Sequence, residues 1–255
     1  MAGFMKQRLD APEGFFALEA AGLKWLDSAK EGVPCARVLS VSETALELER
    51  LSPAAPTPEA AAEFGRRLAA THDAGAPAFG AGPPEWTGGG FFGPLDHPLA
   101  VPLTHFDRWG TFHADTRLNP MIELAAAQGL LDTSERQQLE AVSNRLAAGG
   151  FDDPEPPARI HGDLWSGNIM WTAEGAVLID PAAHGGHRES DLAMLALFGV
   201  PYLDAVVASY NDIHPLTDGW RSRVSLHQIY PLLVHAILFG GGYLRQTLSA
   251  AAPYA

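Results

Sequence analysis

The feature that most constrains this chain is His161-Gly162-Asp163-Leu164-Trp165-Ser166-Gly167-Asn168, followed shortly by Leu178-Ile179-Asp180-Pro181. Between them, 168–171 and 176–179 read as two short apolar strands turning at Glu174-Gly175. Such a hairpin returns Asp180 to the side of Asn168. Three acceptor side chains then stand in a fixed order: Asp163, Asn168 five positions on, and Asp180. Phosphoryl transfer needs that order. One carboxylate orients the attacking hydroxyl and takes its proton, while an amide oxygen and a second carboxylate hold magnesium against nucleotide phosphates. A lone Asp of this kind is usually a turn residue. The whole constellation is far more specific.

The Asp-to-Asn spacing matches the loop pattern H-R-D-x-x-x-x-N, with Gly162 in place of the arginine. A site of this type also uses a lysine on the phosphates, positioned by a helix glutamate. Lys6 and Glu19 are the expected pair, Glu19 lying at the border of the apolar stripe Phe16, Ala20, Leu23 and Leu26. Gly88-Gly89-Gly90-Phe91-Phe92-Gly93 fits G-x-G-x-x-G literally but follows no expected strand and opens no helix, so it reads as a flexible loop. It also lies after Lys6, and no two-strand glycine loop precedes that lysine in the sequence. His184, His187 and Arg188 raise the question of zinc; with no cysteine or third histidine near them in the chain, a structural or substrate-contact role is the better expectation.

Charge narrows the partners. A formal net charge of −13 argues against nucleic acid and anionic membranes. Nucleotide binding stays open, because magnesium and one lysine can supply positive charge locally. The single cysteine, Cys35, fits a reducing compartment and reads as a small buried residue. The amino terminus has no apolar signal region, and the apolar stretch 230–244 is interrupted by His235 and three glycines. The expectation is a soluble, cytoplasmic protein, monomer or homodimer, with neither membrane nor nucleic acid as partner.

Along the chain, 4–8 reads as a strand, and Asp10-Ala11-Pro12-Glu13 as a capping box opening a helix that stops near Gly32. Segments 36–41 and 44–51 form a hairpin turning at Ser42-Glu43, with Leu46 and Leu48 on one face. Ser52-Pro53-Ala54-Ala55-Pro56 is the expected hinge between two lobes, 1–51 and 52–255. Thr57-Pro58 starts a helix running to about His72. The Gly/Pro-rich passage 75–102 is too long to be idle. Helices follow over 105–148, the last opened by Asp132-Thr133-Ser134-Glu135. After Asp180 the pattern predicts helices over about 190–198, 202–212 and 222–249. A small mixed lobe and a larger helical lobe result.

With these residues in view, the chain resembles the fructosamine-3-kinase (ketosamine-3-kinase) family, within the aminoglycoside-phosphotransferase-like group. HGDLWSGN (161–168) carries the resemblance most specifically, with LIDPAAHGGHRESDLAMLALFG (178–199) close behind. FMK (4–6), FFALEAAGL (15–23), Trp109, Phe112, Arg117-Leu118 and LFGGGYL (238–244) support it. The resemblance implies an α+β, bilobal, protein-kinase-like fold whose β-rich first lobe lacks the glycine-loop hairpin. It implies Asp163 as base, Asn168 and Asp180 as Mg2+ ligands, and Lys6 with Glu19 as the clamp on ATP. Glu49, Arg50 and Leu51 would form the strand that meets adenine. His161 and Asp191 would support the loop, and Trp165, His187 and Glu189 would contact substrate. The implied reaction phosphorylates a sugar hydroxyl of a ketoamine. Two other readings stay open: an aminoglycoside or amino-alcohol acceptor, or a nucleotide-binding protein with little turnover.

Overall fold

The computed structural model describes residues 3–255. β1 (Phe4–Gln7), α1 (Phe15–Asp27), β2 (Val38–Val41) and β3 (Ala45–Leu48) come first, with the strands in antiparallel order β1-β3-β2. Alternation in β3 places Leu46 and Leu48 in the core and leaves Glu47 and Glu49 partly exposed. The strands are shorter than 36–41 and 44–51. The expected capping box does not form: α1 begins one turn later, at Gly14, whose left-handed φ of 80° ends the preceding turn. A side chain on Gly14 would also press on Trp86. Glycine is therefore the residue this entry permits.

Thr57 caps α2 (Pro58–Asp73), its hydroxyl accepting from the Ala60 amide, with proline in the first turn. The passage after it is not a free loop. β4 (Gly90–Phe92) and β5 (Leu99–Val101) pair within it, so the glycine run expected to be flexible leads into a strand. α3 (Trp109–His113) continues into a π-helical turn (Ala114–Leu118), then α4 (Asn119–Ala127). α5 (Thr133–Ala147) opens on the capping box of Asp132 and Glu135.

β6 (Ala158–Ile160) leads to the 161–168 loop. β7 (Ile169–Thr172) and β8 (Gly175–Leu178) form the expected hairpin, with Ile169 opposite Leu178. β9 (His184–Gly186) then pairs with β6, a strand the sequence pattern does not announce. α6 (Arg188–Phe198) and α7 (Leu203–Ile213) follow; the helix expected over 222–249 is two, α8 (Trp220–Phe239) and α9 (Tyr243–Ala251), because Gly240 and Gly241 adopt positive φ.

Two apolar cores meet along α6. Leu192 and Leu195 join α1, α2 and the β7–β8 hairpin, while Met194 joins the core of α3–α5 and α8. The 161–168 loop sits between the cores. Its Leu164 is wholly buried, an anchor contributing about 2 kcal/mol on burial. Backbone bonds from Ala36 to Leu178 (2.9 Å) and from Leu178 to Pro34 (2.8 Å) tie the first segment to the hairpin, which fixes Asp180 relative to β1. Among the described residues, no helix is long and apolar enough to cross a membrane.

Candidate active site

Lys6 comes from β1, Glu19 from α1 and Asp180 from just beyond β8. Lys6 Nζ donates to both Glu19 oxygens at 2.8 Å and to Asp180 Oδ1 at 3.0 Å. Burial alone would lower the Lys6 pKa, but the two carboxylates outweigh it and hold it above its ordinary value. The lysine is a fixed cation. Asp180 adopts a left-handed φ of 54°, which turns the chain out of the hairpin and leaves its side chain partly open to the cleft.

Asn168 links the other two acceptors. Its amide nitrogen donates to Asp163 O at 2.7 Å and Asp163 Oδ2 at 3.0 Å, and reaches Asp180 O at 3.5 Å. With the nitrogen so engaged, the amide oxygen is the atom left to ligate a cation. Asp163 lies partly buried on the cleft floor, where burial and then the neighbouring Asp180 and Asp191 push its carboxyl up to about 7, against the Asn168 bond.

The loop is braced from behind. Asp191 accepts from the His161 amide at 2.7 Å and the Gly162 amide at 3.0 Å. His161 Nε2 donates to Ile179 O at 2.9 Å, so Nδ1 accepts from the Asp163 amide at 3.3 Å. Gly162 explains the missing arginine: with φ of 81°, any side chain there would collide with Ala182 O. A second line of contacts, unseen in the sequence, reaches Asp191 from further away. Arg188 donates to the Tyr210 hydroxyl (3.0 Å), which donates to His72 Nδ1 (2.7 Å), and His72 Nε2 faces Asp191 at 3.2 Å.

A cleft of about 350 Å³ contains Lys6, Glu19, Asp163, Asn168 and Asp180, with Trp165 at its mouth. Phe91 to Leu95 form one wall and the end of α8, from Val234 to Phe239, another. Sequence reasoning missed both walls; the weak signal was the length of the 75–102 passage and the Leu238-Phe239-Gly240 motif. Glu49, Arg50 and Leu51 lie outside this cleft: Glu49 sits 3.8 Å from Arg37, Arg50 donates to Gly3 O, and the Leu51 amide has no protein partner among the described residues.

His187 and Glu189 require correction as substrate contacts. Both are buried away from the cleft: His187 meets Asp153 at 3.2 Å, and Glu189 is held by Arg223 at 2.9 Å. The third histidine absent from the local sequence arrives on α8. His187, Glu189 and His227 offer ligand atoms within 4.8 Å of one another. The Arg223 guanidinium already neutralises Glu189, so the cluster is built as an ion-pair network.

Small antiparallel sheets against a helical lobe, with a lysine–glutamate pair facing an Asp, Asn, Asp cluster across a cleft, define a protein-kinase-like phosphotransferase fold. The crystal structure of aminoglycoside phosphotransferase APH(4)-Ia shares that fold with a TM-score of 0.56 at 18% identity, over 95% of this chain and 83% of its own. The family model described as Fructosamine kinase matches residues 2–252. The chain belongs to the fructosamine kinase family and is an ATP-dependent kinase. A crystal structure described as a candidate fructosamine-3-kinase from Thermobifida fusca superposes with a TM-score of 0.89 at 47% identity, covering 98% of this chain and 84% of that one. A relative from Enterococcus faecium, named a probable ketoamine kinase, is 33% identical over 95% of this chain and 83% of its own length.

Proposed function

We propose that the chain phosphorylates a sugar hydroxyl of a ketoamine, the adduct of a sugar and an amine, using ATP and Mg2+. The carrying observation is that Lys6, Glu19, Asp180, Asn168 and Asp163 share one cleft, joined by contacts of 2.7–3.5 Å. Asp163 is the base in this reading: it accepts the hydroxyl proton, and a carboxyl near 7 is matched to that task at neutral pH. Lys6, fixed by Glu19, meets the phosphates. The donor set fits magnesium, since it offers hard oxygens: the free Asn168 amide oxygen and the Asp180 carboxylate. Bound there, the ion would neutralise phosphate charge during transfer.

The free amide of Leu51, just past the end of β3, supports the segment 49–51 as a contact for adenine beyond the phosphate cleft, and the 52–56 segment supports a lobe boundary near residue 51. The 41% exposure of Trp165 in the cleft lining supports its reading as a contact for the acceptor. The acidic balance suits an amine-bearing substrate, and the single buried thiol suits the cytoplasm. The test is ADP release with ribulosyl-lysine and fructosyl-lysine beside an aminoglycoside, with Asp163→Ala as control. Release with the ketoamines alone, lost in the variant, supports the reading; release with the aminoglycoside alone overturns the acceptor class.

A further inference from the structure

Arg117 is a buried cation without a counter-ion. It is 3% exposed, and no carboxylate among the described residues lies within ion-pair reach of it. One nitrogen, Nη1, carries every hydrogen bond it makes: to Pro102 O and Thr116 O at 3.1 Å and to Thr116 Oγ1 at 3.3 Å. The guanidinium stacks 4.8 Å above the Phe112 ring. Arginine keeps its proton under all ordinary conditions, so burial cannot be relieved by neutralising it. An unpaired buried charge is among the costliest features a fold can contain.

Two more polar groups nearby lack partners. Tyr230 OH and His113 Nε2 are buried atoms with no hydrogen bond; His227 Nε2 is a third, but it faces the Glu189 carboxylate at 3.4 Å. Arg117, Tyr230 and His113 converge. Arg117 and Tyr230 border two small cavities, of about 40 and 20 Å³, under Gly162 and His184; His113 borders the larger, as do His227 and the Asp191 carboxylate, whose two oxygens are engaged by the His161 and Gly162 amides. The π-helical turn Ala114–Leu118 sets His113 and Arg117 toward this space, and such turns recur at functional positions.

The chemistry of the orphans is one-sided. A guanidinium and a phenol present N–H and O–H donors, and a neutral imidazole can add a third through its Nε2–H tautomer. Water could accept from them but would leave the charge of Arg117 uncompensated. Phe92 and Ala182 stand between this space and the large cleft, and the volume is too small for a carboxylate-bearing metabolite or a phosphate ester. We infer that the cavity beneath the catalytic loop is a site for a monatomic anion of chloride size, held by Arg117, Tyr230 and His113. Asp191 holds the Gly162 amide; the anion would fill the space beneath that residue. The site stands apart from the substrate reading above.

Crystals grown in bromide and examined for anomalous scattering test it, together with thermal midpoints in sodium chloride, bromide and gluconate at equal ionic strength. The expected result is a bromide peak within hydrogen-bonding distance of Arg117 and Tyr230, and midpoints several degrees higher in either halide than in gluconate. Arg117→Met should erase the halide difference. Tyr230→Phe, which removes one donor and keeps the cation, should weaken halide affinity several-fold while the chain still folds. Absence of the peak, with equal midpoints in all three salts, overturns the proposal. A halide difference that persists unchanged in Tyr230→Phe places the anion elsewhere and overturns it too.

Discussion

The Lys6 ammonium lies 3.0 Å from Asp180 Oδ1, joining the first strand of the chain to a residue 174 positions later. That contact closes the site, because Glu19 holds the other side of the ammonium at 2.8 Å. Among the described residues lining the cleft, Lys6 is the one lysine or arginine, and it sits between two carboxylates.

Removing the ammonium should therefore cost both binding and stability. Lys6→Met leaves Glu19, 6% exposed, without its cation. Loss of one partner from a buried pair costs roughly 3 kcal/mol, less where the cleft admits water. We expect a lower thermal midpoint at pH 8, ATP affinity reduced at least tenfold, and partial recovery of the midpoint in Lys6→Met/Glu19→Gln. Calorimetry and nucleotide titration check each part.

Asp163→Asn should lose activity and gain stability. Turnover should fall by about 10²–10⁴-fold with the loss of the proton acceptor. The carboxyl ionises near 3.8 in the open chain and near 7 in the fold, so the folded protein holds the proton more tightly. Wild type accordingly loses stability as pH rises from about 4 to about 7, and the neutral amide does not. Denaturant melts without metal or nucleotide should show the variant more stable by roughly 1–2 kcal/mol at pH 8, with no difference at pH 3.5.

Asp180→Asn separates charge from backbone. Asparagine tolerates the left-handed φ of 54° that alanine would strain. The variant should keep its fold yet lose the dependence of ATP affinity on magnesium. Titration of ATP with and without the ion reads this directly; an unchanged magnesium dependence removes Asp180 as a ligand.

Tyr210→Phe tests the contacts behind the loop. It strips His72 Nδ1 of its donor and Arg188 of an acceptor, both buried, at a cost of about 1–3 kcal/mol. If His72 positions Asp191, kcat should fall severalfold with KM for ATP little changed, and the loop amides of His161 and Gly162 should exchange hydrogen faster.

Much of this site could be read from the chain because its parts are local. Asp163, Asn168 and Asp180 lie on one loop and one hairpin, where spacing fixes geometry. Lys6 and Glu19 were legible for a similar reason: one short strand and one amphipathic helix follow each other directly. The structure differs where long-range packing decides. β9 is His184-Gly185-Gly186, with no alternation to announce it, and it exists through pairing with β6. His187 and Glu189 resembled substrate ligands in sequence, but Arg223 and His227 from α8 enclose them. The walls built by Phe91 and Phe239 come from segments whose sequence gives only a weak sign of the cleft.

The most direct measurement is the site of phosphate on the product. Enzyme, magnesium-ATP and ribulosyl-lysine should yield a phosphorylated ketoamine, detected by phosphorus and proton NMR as a phosphate ester on the sugar, with one ADP per ester and none from Asp163→Asn. ADP formed without any sugar ester, or equal ester from the Asp163→Asn protein, would contradict the account.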